Sequence, residues 1–249
     1  MTMSNPSRSS SRSSSANINS EPLRSLRNLY RQAARAFLSR SPSVATYLEK
    51  AFALLPAPDD HDSARESAAL EQQRIKWDVL RLTWEASIYP THGLVNGCAN
   101  GKGKGKEREN GHGISNGDGK VEAHADMDLL ALPPATLLPA LHARSLVLFT
   151  PSTLKASSSH LPAEVLLALV LFAVKLGMYP VARDWVELWW VVRGSADPEG
   201  EDEIKGRRKI RDTMALRVLP GMRDWESARG WAEGEQDLEL QEASVPLNH

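Results

Sequence analysis

Apolar residues recur at three- and four-residue intervals through much of the chain, which is the period of an amphipathic helix. The segment LRSLRNLYRQAARAFL, residues 23–38, places them on one stripe. After a break at Ser41-Pro42, the segment VATYLEKAFALL resumes the period. Helices joined by so short a break are expected to fold back on each other. Residues 64–89 predict a third, longer helix that Pro90 stops.

A run of ten apolar residues, Val165 to Val174, is followed by KLGMYPVARDWVELWW, which holds three of the chain's seven tryptophans. A membrane-spanning helix needs about twenty apolar residues. Because Glu164 and Lys175 bound the run, it is too short to span. The pattern instead predicts one helix ending near Leu176 and a second from Tyr179 to Val192.

The other segments of the second half give weaker signals. Residues 129–151 are apolar but are interrupted by Pro133, Pro134 and Pro139, which predicts short helices and a packed connector. Residues 195–211, SADPEGEDEIKGRRKIR, are charged and predict a partly loop-like segment. A last pair of helices is predicted at Thr213–Val218 and Asp224–Leu240. We find no convincing β-hairpin pattern, so the predicted fold class is all-α.

Composition divides the chain into five segments. The predicted division is a disordered Ser/Arg tail at 1–20, N-terminal helices at 21–90, a disordered Gly/Asn/Lys insertion at 91–125, C-terminal helical hairpins at 126–240 and a polar tail at 241–249. A long surface insertion between helices costs little free energy, because loop-closure entropy grows slowly with length.

Composition and charge exclude several classes of protein. The net charge is -1, so the whole chain gives no reason to expect nucleic acid as a partner. The single cysteine, Cys98, excludes a disulfide framework and favours an intracellular compartment. The N-terminal forty residues are rich in Ser and Arg and poor in acid, a composition that also suits a mitochondrial presequence.

A small-residue and aromatic pattern marks the predicted hairpin at residues 165–192. It resembles a tetratricopeptide repeat, in which a small Ala lets two helices approach and large residues fill the groove beside them. The matching positions are Leu176, Gly177, Tyr179, Ala182 and Trp185, and the same three-residue steps recur at Trp225, Ala228 and Trp231. We expect these residues to be structural, in degenerate repeats that form an α-solenoid or an irregular bundle. A generic α-bundle with the same spacing is the alternative.

Candidate chemistry is sparse. GKGKGK lacks the earlier glycine and the Ser/Thr of a phosphate loop. Residues 122–128, EAHADMD, alternate acids and a histidine but lack the spacing of a calcium loop. Cys98 has no evident activating partner in the sequence. We therefore expect no catalytic residues, no cofactor and no metal.

Four segments in order resemble a family of fungal tetratricopeptide-like proteins. They are LRSLRNLYRQAARAFL, RIKWDVLRLTWEASIYP, LPAEVLLALVLFAVKLG and VLPGMRDWESARGW. That family is similar to the peroxin that tethers the export AAA-ATPases to the peroxisomal membrane. The resemblance implies recruitment of a partner AAA-ATPase, or a wider role in peroxisome assembly, without catalysis. Such tethers are tail-anchored, whereas this chain ends in ELQEASVPLNH with no apolar span.

The sequence therefore predicts a non-catalytic helical-repeat adaptor that binds a protein partner, in the cytoplasm or at the peroxisomal surface. Two alternatives stay open. One is a mitochondrial helical protein with a cleaved Arg/Ser-rich presequence. The other is an α-bundle enzyme, which would need clustered acids or histidines on facing helices.

Overall fold

The computed structural model describes residues 21–56, 64–89, 129–194 and 200–233. All regular structure in these ranges is helical, which confirms the all-α fold class. The elements are α1 Glu21–Leu38, α2 Val44–Leu54, α3 Ala64–Ile88, α4 Pro134–Phe149, a 3-10 turn Ser158–His160, α5 Ala163–Lys175, α6 Tyr179–Arg193, α7 Glu201–Thr213 and α8 at residues 225–233. The predicted tail at 1–20, the insertion at 91–125 and the tail at 241–249 lie outside the described residues.

Helices α1 and α2 fold back on each other, as the short break between them predicts, and both pack on one face of α3. Their cluster buries Leu26, Leu48 and Trp77, and the Tyr30 ring meets the Trp77 ring edge-on at 5.3 Å. Another face of α3, which carries Leu82, packs on α5 and belongs to a larger cluster built from α3 to α8. Helix α3 is therefore shared by both parts of the fold.

Helices α5 and α6 form an antiparallel hairpin around a tight turn. Trp189, near the end of α6, donates from its indole N–H to the carbonyl of Leu161, just before α5, at 2.9 Å. Arg193 donates to the carbonyl of Ser159 at 2.9 Å. These bonds fix the far end of α6 beside the start of α5 and bury the Trp189 side chain completely.

Helix α4 corrects one prediction from the sequence. Residues 134–149 form a single helix with Pro139 inside it, where short helices and a connector were expected. Pro133 is the N-cap and Pro134 occupies the first turn, where proline loses no hydrogen bond. The cost of Pro139 in the interior is offset because Leu137, Leu138 and Leu141 are fully buried.

Helix α7 shows that the charged segment, predicted to be partly loop-like, is helical from Glu201 onward, while residues 195–199 lie outside the described ranges. Its acids fill the first turn and its bases follow, an order that complements the helix dipole. Two i,i+4 pairs support it, Glu201–Lys205 at 2.7 Å and Glu203–Arg207 at 3.0 Å. The helix then widens into a π-helical turn at Met214–Val218, so these residues continue α7 rather than start a new helix.

Candidate functional site

The turn between α5 and α6 holds two of the residues singled out by the repeat pattern. Gly177 has a φ of 72°, in the left-handed region that favours glycine. The Met178 N–H donates to the Ala173 carbonyl at 2.9 Å, and the Gly177 N–H donates to the Val174 carbonyl at 3.0 Å. These two bonds are the Schellman motif that ends a helix. Leu176, just before it, is buried.

Tyr179, Ala182 and Trp185 all face the core from α6. Ala182 is fully buried and Trp185 is 8 % exposed, while Tyr179 is half-buried against Gly221. The His142 ring of α4 stacks on Trp185 with centroids 4.7 Å apart and an interplanar angle of 8°. In this first hairpin, the residues that match the repeat pattern therefore do pack between helices.

The second occurrence of the pattern, in α8, is packed only in part. Ala228 is buried, and the Trp231 ring lies 5.2 Å from that of Trp190. Trp225, which corresponds to Tyr179 in the pattern, is 64 % exposed, whereas Tyr179 is half-buried. Arg183 contacts Asp224 at 3.3 Å, and hydrogen bonds from Ser227 lower the pKa of Asp224 below its ordinary value.

The contacts between α6 and α8 fix their relative direction. Arg183 contacts Asp224 near the start of both helices, and Trp190 contacts Trp231 further along both. The two helices therefore run side by side in the same direction. Successive equivalent helices of a solenoid have this arrangement.

A groove of about 410 Å³ lies between α3, α5 and α7. Its lining is mostly apolar and combines small and large side chains. The lining residues include Val79, Leu82, Ala86, Leu167, Leu171 and Phe172. Leu171 is 37 % exposed, although most of the other large residues of α5 are buried. We call this surface the α3–α5–α7 groove.

The close contact of α5 and α7 forms one end of the α3–α5–α7 groove. A Cβ at Gly206 would lie 2.6 Å from the Cβ of Ala163, nearer than atoms can pack. Only glycine therefore allows α7 to cross α5 at this distance. The crossing places the side of α7 that carries Lys205 and Lys209 along the groove.

Five charged residues line the same groove, three of them basic: Lys175, Lys205 and Lys209, with Glu164 and Asp202. The Lys175 ammonium donates to the carbonyl of Ala86, at the end of α3. Lys205 pairs with Glu201, but both side chains are largely exposed, so water screens the pair. Lys209 has no ion-pair partner in the part of the chain that the structure describes.

The two acids lie where the backbone offsets their charge. Glu164 is in the first turn of α5 and Asp202 is in the first turn of α7. The N-terminal end of a helix carries a partial positive charge, which favours an acid there. Lys205 and Lys209 lie further along α7, where the partial charge of a helix end does not offset the charge of their side chains. The lining of the α3–α5–α7 groove therefore carries one more basic than acidic side chain.

A second groove of about 770 Å³ lies between the α1–α2 turn and the end of α3. Leu38, which is 81 % exposed, and Trp84 line it, and Arg40 is its basic residue. The lining of this second groove is largely apolar and includes one charged residue, so it indicates less about the chemistry of a ligand that would bind there.

Helix α3 also buries charges that the apolar periodicity did not reveal. Glu85 is 1 % exposed and accepts two hydrogen bonds from Arg144 of α4, at 2.6 and 2.7 Å. Asp78 is fully buried and pairs with Arg81 at 2.6 Å, and the Arg81 guanidinium lies 4.2 Å from the Phe52 ring centroid. Asp78 and Glu85 lie seven residues apart and therefore on similar sides of one helix, and this spacing was the sequence signal that could have revealed the buried charges.

His142 of α4 is a largely buried titratable residue that lies against the α5–α6 hairpin. Its Nε2 lies 3.1 Å from the Ser158 hydroxyl, and burial lowers its pKa below the ordinary value of 6.5. A serine beside a histidine can form a nucleophile–base pair. Among the described residues no acid hydrogen-bonds to His142 to orient it, as a third group does in such catalytic sets.

The described residues contain no group of three or more His, Cys, Asp or Glu side chains arranged to hold a metal ion. Cys98, the GKGKGK segment and the EAHADMD segment all lie outside the described residues. Across the described ranges, no helix combines the length and the apolarity needed to cross a bilayer.

Comparisons of this chain with protein-family models, with curated proteins and with solved structures give no match. The resemblance to tetratricopeptide-like proteins and to the peroxin therefore stays a prediction.

Proposed function

We propose that this protein is a non-catalytic helical adaptor that binds a segment of a partner protein in the α3–α5–α7 groove. The observation that carries the proposal is the exposed apolar lining at Leu171, on a helix whose other large residues are mostly buried. Apolar side chains that stay exposed in a groove between rigid helices commonly mark a protein-binding surface.

The rigidity of the three helices supports this function. Helix α5 packs directly on both α3 and α7, and all three helices contribute to the larger core cluster. A groove preformed in this way loses little conformational entropy when a ligand binds, which leaves more of the contact energy as affinity. The parallel α6 and α8 helices add an arrangement that is typical of helical-repeat adaptors.

The resemblance noted from the sequence supplies a candidate partner and place. We propose an AAA-ATPase as the partner and the cytoplasmic face of the peroxisome as the place. This part rests on the four resembling segments alone.

The mitochondrial alternative meets a physical objection in α1. Leu23 and Leu26 of that helix are buried against the α1–α2–α3 cluster. Removal of a presequence that ended between Glu21 and Ser41 would take away all or part of α1 and expose Trp77, which is now fully buried. The observation that α1 is part of the core therefore favours the adaptor over a presequence that includes this helix.

Site-directed photo-cross-linking in the native cells tests the adaptor function. A photoreactive phenylalanine analogue replaces Leu171 in the α3–α5–α7 groove, and the matched control carries it at Val147 of α4, which is 72 % exposed. We expect a discrete protein adduct from position 171 that mass spectrometry identifies, and none of the same mass from position 147. Equal adducts from both positions, or none from position 171, would contradict the proposed surface.

The identity of the adduct tests the finer proposal. A AAA-ATPase found with peroxisomal proteins supports the tethering role. Mitochondrial proteins at position 171 would contradict the peroxisomal placement and leave the adaptor function intact.

A further inference from the structure

We infer that the α3–α5–α7 groove selects an amphipathic helix whose apolar face is flanked by acidic side chains. The inference rests on the proposed function, because it names the chemistry of the partner segment that the adaptor binds. It is carried by two features of the groove, its shape and the placement of its charges.

The shape suits a helix. The groove runs beside α5, which has 13 residues and is therefore about 20 Å long. A docked helix of similar length has about three turns, and one face of it presents apolar residues at positions i, i+3, i+4 and i+7. Small residues in the lining, Ala86 of α3 and Ala168 of α5, leave room for these larger side chains to enter.

The charges flank the apolar lining at different points along the groove. Lys175 is the last residue of α5, whereas Gly206, next to Lys205, crosses α5 at its first residue, Ala163. Acidic residues near both ends of a docked helix would therefore each meet a lysine. Lys205 and Lys209 are four residues apart on α7, so their ammonium groups project from one face and match two acids one turn apart.

The two acids of the groove are fewer than its three lysines, so they do not reverse the preference for an acidic partner. Glu164 and Asp202 are each stabilised by the helix N-terminus on which they lie. A basic partner would find only these two acids and would face three lysines. Rim charges contribute modestly to affinity, but they discriminate between partners because like charges repel. We therefore expect apolar contacts to set the affinity and the lysines to set the selectivity.

A displayed library of random sixteen-residue peptides, selected on the full chain, tests the inference whatever the identity of the partner. We expect the selected peptides to combine apolar residues at helical spacing with flanking Asp and Glu. A variant with Lys205→Glu and Lys209→Glu should bind those peptides about tenfold more weakly, because two attractions become repulsions. The matched control, Lys50→Glu with Lys76→Glu, has the same change in net charge at two exposed residues outside the groove and should bind them unchanged.

Two further readouts locate the binding and identify its physics. Leu171→Asp should abolish binding of the selected peptides while circular dichroism shows an intact fold, since that side chain is already partly exposed. Raising the salt concentration from 50 to about 500 mM should reduce the wild-type preference for acidic peptides, because salt screens exposed charges.

The outcomes separate this inference from the proposed function. Selected peptides that are neutral or basic, or that bind the Lys205/Lys209 variant as well as the wild type, overturn the inference even if cross-linking at Leu171 captures a partner. Failure of both experiments overturns the adaptor and the inference together. If no peptide is selected but decanoate binds the wild type and not the charge-reversed variant, the groove belongs to small anionic amphiphiles, and the inference is wrong.

Discussion

Three residues in left-handed backbone conformations end helices in the same way. Gly177 has a φ of 72°, Arg40 of 53° and Arg223 of 62°. Next to Arg40, the Ser41 N–H donates to the Ala36 carbonyl at 2.8 Å. This is the hydrogen bond of a Schellman motif that spans six residues. An arginine there carries strain from its Cβ that glycine avoids. The backbone hydrogen bonds of the turn hold the residue in place despite this strain.

This difference between glycine and arginine gives a paired prediction. Gly177→Ala should lower the free energy of unfolding by about 1 kcal/mol, because strain outweighs the entropy that alanine removes from the unfolded chain. No atom lies within 4 Å of the position of the new Cβ, so a clash cannot explain the loss. Arg40→Gly should change stability in the opposite direction, by about 0.5 kcal/mol. Urea unfolding measures both, and a loss at Arg40 would show that its side chain outweighs the strain.

His142 gives a pH-dependent prediction. Because burial lowers its pKa in the folded protein, the unfolded chain binds a proton first as the pH falls. The contribution of His142 to stability is therefore complete above about pH 6.5 and is lost progressively below it. His142→Phe keeps an aromatic ring against Trp185 but cannot titrate. We expect the difference in urea midpoint between wild type and His142→Phe to change between pH 7.5 and pH 5, in favour of the variant at the lower pH. A constant difference would contradict it.

At the residue scale, the sequence predicts a backbone conformation where a residue type is strongly associated with one structural position. Gly177 follows a long apolar run, and glycine is the residue that helix ends favour, so its position was predictable. Arg40 and Arg223 make the same backbone turn but carry no such signature, because arginine is common on any helix surface. Trp225 shows the reverse error. Its spacing to Ala228 matches that of Tyr179 to Ala182, yet the neighbouring helices leave Trp225 exposed.

At the scale of helices, the close approach of α5 and α7 gives a second paired prediction. Alanine at Gly206 gains about 1 kcal/mol of helix propensity but forces α5 and α7 apart, which typically costs about 1–3 kcal/mol. We expect a net loss for Gly206→Ala. Gly230→Ala in α8 meets no atom within 4 Å and should raise stability by about 0.5–1 kcal/mol. Thermal unfolding of the two variants gives the comparison, and a gain at Gly206 would contradict the tight crossing.

The buried ion pair between α3 and α4 gives a prediction of its own. Removing either partner alone, by Glu85→Gln or Arg144→Met, should cost about 3–5 kcal/mol, because a buried charge loses its counter-charge. The double variant should cost less than the sum of the two. The control cycle uses Glu201 and Lys205, whose exposed pair should couple by less than about 1 kcal/mol. Additive losses at Glu85 and Arg144 would indicate that the pair does not link the two helices.

The helices that sequence reasoning misjudged have identifiable physical reasons. Pro139 lies inside α4 because three buried leucines around it compensate for the lost hydrogen bond. The charged start of α7 is helical because its acids and bases are ordered along the dipole and paired at i,i+4. Periodicity of apolar residues detects neither effect. It did locate α1, α2, α3, α5 and α6, where one apolar stripe packs against one neighbour or more.

At the scale of the whole molecule, α3 is the element that sequence reasoning assigned to only one part. The predicted division placed it with the N-terminal helices at 21–90. In the structure one face of α3, with Trp77 and Leu80, packs with α1 and α2, and another face, with Ile75 and Leu82, packs with α5. The α3–α5–α7 groove could not be predicted for the same reason, because its lining comes from three helices that are distant in sequence and only tertiary packing brings them together.

The shared helix predicts that both clusters unfold together. Leu26→Ala removes a fully buried side chain from the α1–α2–α3 cluster and should cost about 2–5 kcal/mol. If α3 couples the clusters, native-state hydrogen exchange in this variant should accelerate in α5 and α6 as well as in α1 and α2. The reciprocal control, Leu166→Ala in the larger cluster, should accelerate exchange in α1 and α2 in turn. Acceleration confined to the cluster that carries the substitution would show two independent units, with α3 divided between them.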